Sequence, residues 1–152
     1  MYRMTLLILT WVITITVNAQ HYRPKLAPIG LSFLSGASKG LNETLSHHYD
    51  RFEYKYPGAN PYYWNPSLSW TNKYKNNDPK LGEKFLGSST IFVFTTDAYH
   101  LTNTIHKNTL FAAGITIGIG ERRPWWHYAL DAGISMLSYS AGFHTVYTIH
   151  FK

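Results

Sequence analysis

The chain has 152 residues, with 14 Lys+Arg against 8 Asp+Glu, 8 His and no cysteine. The missing cysteine excludes a disulfide-stapled mini-domain, a thiol nucleophile and any thiolate metal centre. Charged residues are 14% of the chain and aromatics 16%, a balance unlike a disordered tail, which lacks the apolar area to fold.

Residues 1–19 have the order of a secretory signal peptide. Arg3 is the basic residue of the first four, an uncharged apolar run extends from Thr5 to Val17, and Val17-Asn18-Ala19 precedes Gln20. A bilayer core needs about 20 apolar residues, so this run reads as a cleaved leader rather than an anchor. Residues 20–152 then form a single envelope domain.

Residues 20–29 hold Pro24 and Pro28 and read as an extended lead-in. From Leu31 the period becomes helical. Leu34, Leu41, Leu45, Tyr49, Phe52 and Tyr56 recur at steps of three, four or seven, which predicts one apolar helix face. The run 42–51 contains no Gly or Pro, and Tyr56-Pro57-Gly58 is a stop.

Residues 57–84 are dense in breakers, with Pro57, Gly58, Pro61, Pro66, Pro79 and Gly82. They predict a long irregular segment. Tyr62, Tyr63, Trp64, Trp70 and Tyr74 carry more aromatic area than a solvated loop leaves exposed, so the segment reads as a packed loop with a helical turn around 67–74. A loop of this length in a compact domain is often functional.

The remainder is apolar. A helix is expected over 89–106, then a separate short run over 109–120 with Gly114, Gly118 and Gly120. A polar break at Glu121-Arg122-Arg123-Pro124 precedes a long helix over 125–147 that carries Ala129, Gly133, Ala141 and Gly142. Phe143, Thr145, Tyr147, Ile149 and Phe151 also alternate with period two, leaving a terminal strand, or a small outer-membrane barrel, as the alternative.

Two arrangements compete, a three-span membrane bundle and a folded or peripheral envelope domain. Low charge and small residues at helix-contact spacing favour spans. Asp97 and Asp131 oppose them, because each costs roughly 2.5–3.5 kcal/mol at a span centre. The outward placement of Arg122 and Arg123 runs against the positive-inside tendency. The peripheral reading is preferred.

Two constellations carry candidate chemistry. Glu43, His47 and Asp50 share a helix face by steps of four and three, and Asp97 and His100 form a second pair at a three-residue step. Carboxylates and imidazoles on facing helices suit a divalent ion, so Glu43, His47, Asp97 and His100 are the metal candidates. The plainer alternative is that Glu43 and His47 form a solvated pair while Asp97 and His100 satisfy each other, with no cofactor at all. Asp131 lies among apolar residues and needs a partner, His127 or Arg123 by spacing and nearness. No nucleophile elbow or phosphate-binding loop is present. Trp64, Trp70, Lys73 and Tyr74, with Trp125 and Trp126, are candidates for contact with a membrane surface or an envelope partner. Nucleic acid is a poor partner for an exported chain.

Trp64-Asn65-Pro66 with Ser69-Trp70-Thr71-Asn72-Lys73-Tyr74, together with Asn42-Glu43-Thr44-Leu45 and Thr96-Asp97-Ala98-Tyr99-His100-Leu101, resembles small uncharacterised exported or membrane proteins of Bacteroidota-type bacteria. Asp97-x-x-His100 ahead of apolar helices is more distantly similar to the Asp-Lys-x-x-His opening of VanZ-like envelope proteins, although Ala98 replaces the lysine and Leu101 the usual aromatic. The resemblance implies an envelope compartment and a mostly helical fold, and it carries no activity.

The fold expected is therefore mostly α, an amphipathic helix and a long aromatic loop packed on two or three apolar helices, in association with a membrane. The function expected is a structural or interaction role in the periplasm or at the cell membrane. The alternative is a metal-dependent, hydrolase-like envelope enzyme.

Overall fold

The computed structural model describes residues 22–152; the leader expected over 1–19 lies outside the described residues. The fold is mostly helical, and no strand occurs among the described residues, whose nearest approach to one is an isolated bridge between Tyr74 and Glu83. Among the described residues six α-helices follow in order: α1 (Leu26–His47), α2 (Tyr49–Lys55), α3 (Pro61–Trp64), α4 (Pro66–Ser69), α5 (Ala98–Gly118) and α6 (Trp125–His144).

α1 begins earlier than the prolines suggested. Pro28 lies in its first turn, where a missing N–H removes no intrahelical bond, so residues 26–29 are helical rather than extended. The helix breaks at His48, whose backbone (φ −142°, ψ 46°) leaves the helical region before α2 resumes at Tyr49. Nothing in 42–51 announces that break. The stop at Tyr56-Pro57-Gly58 is where the breakers place it.

The long segment between α2 and α5 is built from repeated Asx-Pro steps. Asn60, Asn65 and Asp78 each precede a proline and accept a hydrogen bond from the backbone N–H two residues on, at 3.0, 3.0 and 2.9 Å. Such side chains nucleate single helical turns. The segment is pinned by Lys84 N–H to Lys73 O (2.9 Å), Lys75 N–H to Gly82 O (3.0 Å) and Ser88 Oγ to Lys73 O (2.7 Å).

The helix expected over 89–106 begins instead at Ala98, because Asp97 caps it by accepting the N–H of His100 at 2.8 Å. It then continues unbroken through 109–118, so the two expected pieces are one 21-residue helix. α6 ends at His144, and residues Thr145–His150 form a π-helical turn rather than a strand. The wider turn, closed by Phe151 N–H to Val146 O at 3.1 Å, carries Phe151 into a cluster with Phe52, Trp64 and Leu45.

α1 is the centre of the bundle: it packs along both α5 and α6, which meet each other over a much shorter stretch. Its buried face differs from the predicted apolar stripe. Leu45 and Phe52 are buried, but Leu34 and Tyr56 are exposed. What α1 buries is mainly small and polar, including Ser32, Ser35, Gly36, Ser38, Gly40 and Asn42. The reason is close approach. A Cβ on Gly36 would lie 1.9 Å from the carbonyl oxygen of Tyr139, one on Gly40 2.7 Å from that of Phe143, and one on Gly142 2.1 Å from that of Phe33. Backbones this near leave no room for leucine between them.

Hydrogen bonds take over along the seam. Asn42 Nδ2 donates to Tyr99 O and Thr102 Oγ1, both at 2.9 Å, and Ser138 Oγ donates to Ile29 O at 2.8 Å. Ser35 Oγ lies 2.9 Å from both His106 Nδ1 and His106 O. Burial pushes the His106 imidazole below its ordinary value, Ser35 O opposes that shift, and Lys39 and Lys107 add to it.

Gly142→Ala should lower unfolding stability by about 3 kcal/mol, since its contact is backbone and cannot yield as a side chain can. Gly133→Ala on the same helix, where a Cβ meets nothing within 4 Å, should gain about 0.5–1 kcal/mol; chemical denaturation of the two variants checks both. For His106 the folded imidazole prefers to stay neutral while the unfolded one takes up a proton near 6.5. Its contribution is therefore complete above that value and lost as pH falls through the lower folded value. Denaturation midpoints taken at about pH 7.5 and about pH 5.5 should fall less steeply in His106→Gln than in the parent chain.

Candidate functional site

The four metal candidates resolve into two separate pairs. Glu43 accepts from Lys39 Nζ and stands 3.3 Å from His47 Nε2, while Asp97 Oδ2 lies 2.7 Å from His100 Nδ1. Among the described residues no group of three or more His, Asp or Glu is arranged to hold a metal ion. The helix period explains the separation. Asn42 of α1 is aimed at α5, and the next position, Glu43, is turned about 100° away from it. Asp50, on α2 beyond the His48 break, is exposed.

Asp97 and His100 do form a defined pair. The carboxylate is 1% exposed and accepts from His100 N, from the His100 ring and from Thr96 Oγ1 (3.2 Å). Holding Nδ1 against a carboxylate fixes the ring orientation and leaves Nε2 as its free nitrogen. A hollow of about 170 Å³ lies beside the pair, lined also by Pro66, Ser69, Trp70 and Tyr99. Burial raises the pKa of the Tyr63 phenol, and the charge of Asp97 raises it further. The pair satisfies a buried carboxylate at a helix start, and it presents one oriented imidazole to a small hollow.

The aromatic candidates divide. Trp64 stacks on Phe52 with ring centroids 4.9 Å apart, and Trp126 packs on His127 at 3.9 Å; both serve packing. Trp70 and Trp125 remain outward, the latter 78% exposed. Lys73 Nζ stands 5.5 Å over the Tyr74 ring. Trp70 lies by the start of α5 and Trp125 just beyond its end, so roughly 30 Å of helix separates them.

Asp131 is paired with Arg123 rather than with His127. Tyr22 Oη donates to the same carboxylate at 2.6 Å and Lys25 N–H at 3.2 Å. Burial pushes the Asp131 carboxyl up, but the Tyr22 hydroxyl, the Lys25 amide and the Arg123 guanidinium outweigh it and hold the group below its ordinary value. The Tyr22 phenol is pushed up to about 12, first by burial and then by that hydrogen bond. Lys25 Nζ meanwhile bonds the carbonyls of Thr116 (3.2 Å), Ile117 (2.8 Å) and Ile119 at the end of α5, where a cation is favoured by the helix dipole. Tyr22 and Lys25 were not legible as partners, because over 100 residues separate them from Asp131 and no local spacing links them.

A second hollow is larger. An apolar cleft of about 800 Å³ lies between α1, α2, the start of α5 and the π-helical turn, with Leu41, Phe52, Trp64, Leu101 and Ile105 among its walls. It falls in the range of small-molecule sites, and sequence spacing gave no sign of it. Elsewhere large apolar side chains face outward, among them Phe111 (71% exposed), Met136 (74%) and Leu137 (72%) on α5 and α6, and Leu86 and Ile91 in the long segment. Among the described residues no helix is both long and apolar enough to cross a membrane; the three-span arrangement finds no span there. Compared with known proteins, the chain matches no family model, no curated protein and no solved structure.

Asp131→Asn should cost about 2 kcal/mol or more, because it leaves the Arg123 guanidinium without its counter-charge. Adding Arg123→Met should recover part of that loss, which a double-mutant cycle of unfolding energies will measure.

Proposed function

We propose that the chain is an exported cell-envelope protein with a structural or interaction role at a membrane surface, docking through one apolar end of its helical bundle. One observation carries this reading: the bundle is apolar outside and small or polar inside. Serine, glycine and asparagine fill the seams, while Leu26, Phe33, Phe111, Ile119, Met136 and Leu137 face outward. Apolar patches of this kind mark surfaces that meet lipid or a partner.

Leu26, Phe33, Phe111 and Ile119 lie toward one end, with Met136 and Leu137 farther along, beside the middle of α6. Lys25 binds the final carbonyls of α5 and the Asp131 side chain of α6, so the start of α1, the end of α5 and the start of α6 lie together. From Leu110 to Ile119 the band runs about 14 Å along α5, by the helical rise per residue. A bilayer core is about 30 Å thick, so the band suits shallow contact with one leaflet. Trp125 fits the headgroup depth, and the exposed Arg23 and Arg122 fit snorkelling at the edge. The full chain's net formal charge of +6, of which the leader's Arg3 supplies one, leaves the exported domain basic, which favours acidic headgroups. The leader-like residues 1–19 supply the export on which the compartment depends. The metal-dependent hydrolase alternative would need a further ligand beside Asp97 and His100, and no observation favours it over docking.

Fractionation should recover the chain with membranes and release it by alkaline carbonate. Phe111→Asp combined with Met136→Asp changes exposed positions, so stability should move by no more than about 0.5 kcal/mol per site. Sedimentation with acidic phospholipid vesicles should nevertheless weaken at least about tenfold. Recovery of the parent chain wholly in the soluble fraction, with no vesicle binding, defeats the reading.

A further inference from the structure

The apolar cleft lies at the opposite end of the bundle from the docking band, against the second half of α1 and the first half of α5. Its walls are hydrocarbon and aromatic over most of their extent, and polar groups converge at one edge. There Tyr56 Oη lies 2.9 Å from His150 Nε2, and Lys55 Nζ lies 3.2 Å from His150 Nδ1 and 5.8 Å from the centre of the Phe151 ring. Lys55 Nζ also donates to His150 O, and Arg51 Nη1 donates to Phe151 O at 3.4 Å. Tyr56, His150 and Phe151 are themselves part of the cleft wall.

The charge at this edge is not neutralised. Among the described residues the ion pairs involve Lys39, His47, His100 and Arg123, and neither Arg51 nor Lys55 is within ion-pair distance of a carboxylate. Asp50 and Glu53 share the short α2 helix with them, yet they pair with neither. Two cations held over carbonyl oxygens at the rim of an apolar cleft are complementary to a molecule with a hydrocarbon body and one negative end.

We propose that this cleft binds a single-chain amphiphile with an anionic head. The alkyl chain lies against Leu41, Leu101 and Ile105. The head meets Lys55 and Arg51, with the Tyr56 hydroxyl beside it. The proposal does not rest on membrane docking, since the two surfaces share no residue.

Calorimetric titration of the purified full chain with dodecanoate, dodecanol and a lysophosphatidate tests it. One saturable site is expected, with dodecanoate bound at least about tenfold more tightly than dodecanol. Arg51→Ala with Lys55→Ala should bring dodecanoate to the level of dodecanol and leave dodecanol unchanged. A lysophosphatidate bound more tightly than dodecanoate identifies a phospholipid-derived source, and the reverse order identifies a free long-chain acid. Ala37→Phe, which fills the cleft, should abolish binding of all three; Ile105→Phe serves the same purpose if that variant fails to give the parent's circular dichroism. Phe111→Asp with Met136→Asp should leave dodecanoate binding as in the parent, which separates this site from vesicle docking. Absence of saturable binding, equal affinity for acid and alcohol, or binding that survives in a folded cleft-filled variant overturns the proposal.

Discussion

The bundle depends on how closely α1 lies against α6. At Gly36 and Gly142 the two backbones come so near that even a methyl group would strike a carbonyl oxygen. Helices packed through ridges and grooves are ordinarily held 8–10 Å apart by their side chains; here the side chains at the contact have been removed. The consequence spreads outward. A seam without bulky residues buries little hydrocarbon, so its cohesion comes from backbone contact and from the Ser138 hydroxyl bonded to Ile29 O, while Asn42 and Ser35 bond α1 to α5 on its other side. The large apolar side chains that cannot fit between the helices are left on their outer surfaces.

Two fixtures keep that seam in register. At one end Tyr22, Lys25 and Arg123 converge on Asp131, and Lys25 reaches on to close α5. At the other end Phe52, Leu45 and Phe151, with the half-buried Trp64 packed against them, form the one cluster of large side chains that resembles an ordinary core among the described residues. The π-helical turn belongs to this second fixture. An α-helical continuation would place Phe151 at a different angle, and the extra residue per turn swings it onto Phe52. The electrostatic end and the aromatic end thus hold a middle that is tight but thinly apolar.

Much of this was legible in the sequence, and the failures share a cause. Helical period located α1, the helices expected over 89–106 and 125–147 overlap the first part of α5 and α6, and the breakers located the packed loop. The pairing of Asp97 with His100 followed from a three-residue step, and Arg123 was a named partner for Asp131. The face of α1 was read from Leu34, Leu41 and Tyr56, on the premise that large apolar residues turn inward. The premise fails where glycine and serine occupy the contact. Ser32, Ser35, Gly36 and Gly40 recur at steps of one, three and four, and that small-residue row was the signal for the seam. The start of α5 did have a local signature, the Asp97 cap three residues ahead of His100, whereas the break at His48 and the cation-rimmed cleft had none. The cleft is decided by contacts between residues far apart in the chain, Lys55 with His150 among them, and no window of sequence contains both partners.

The two apolar features are therefore different in kind, although both arise from the same economy of large buried side chains. The outward faces of α5 and α6 carry few polar groups, so they can discriminate little beyond apolar from aqueous surroundings. The cleft is concave and polar at one edge only, which imposes a direction on whatever enters it. Tight middle packing accounts for the first, since it expels bulky residues to the surface. The kink at His48 accounts for the second, since it turns α2 away from the line of α1 and opens the space that Leu101, Ile105 and the π-helical turn enclose. A straight helix through residue 55 would carry Arg51, Phe52 and Lys55 along the α1 axis, and the walls of the cleft and the cations at its rim would no longer meet.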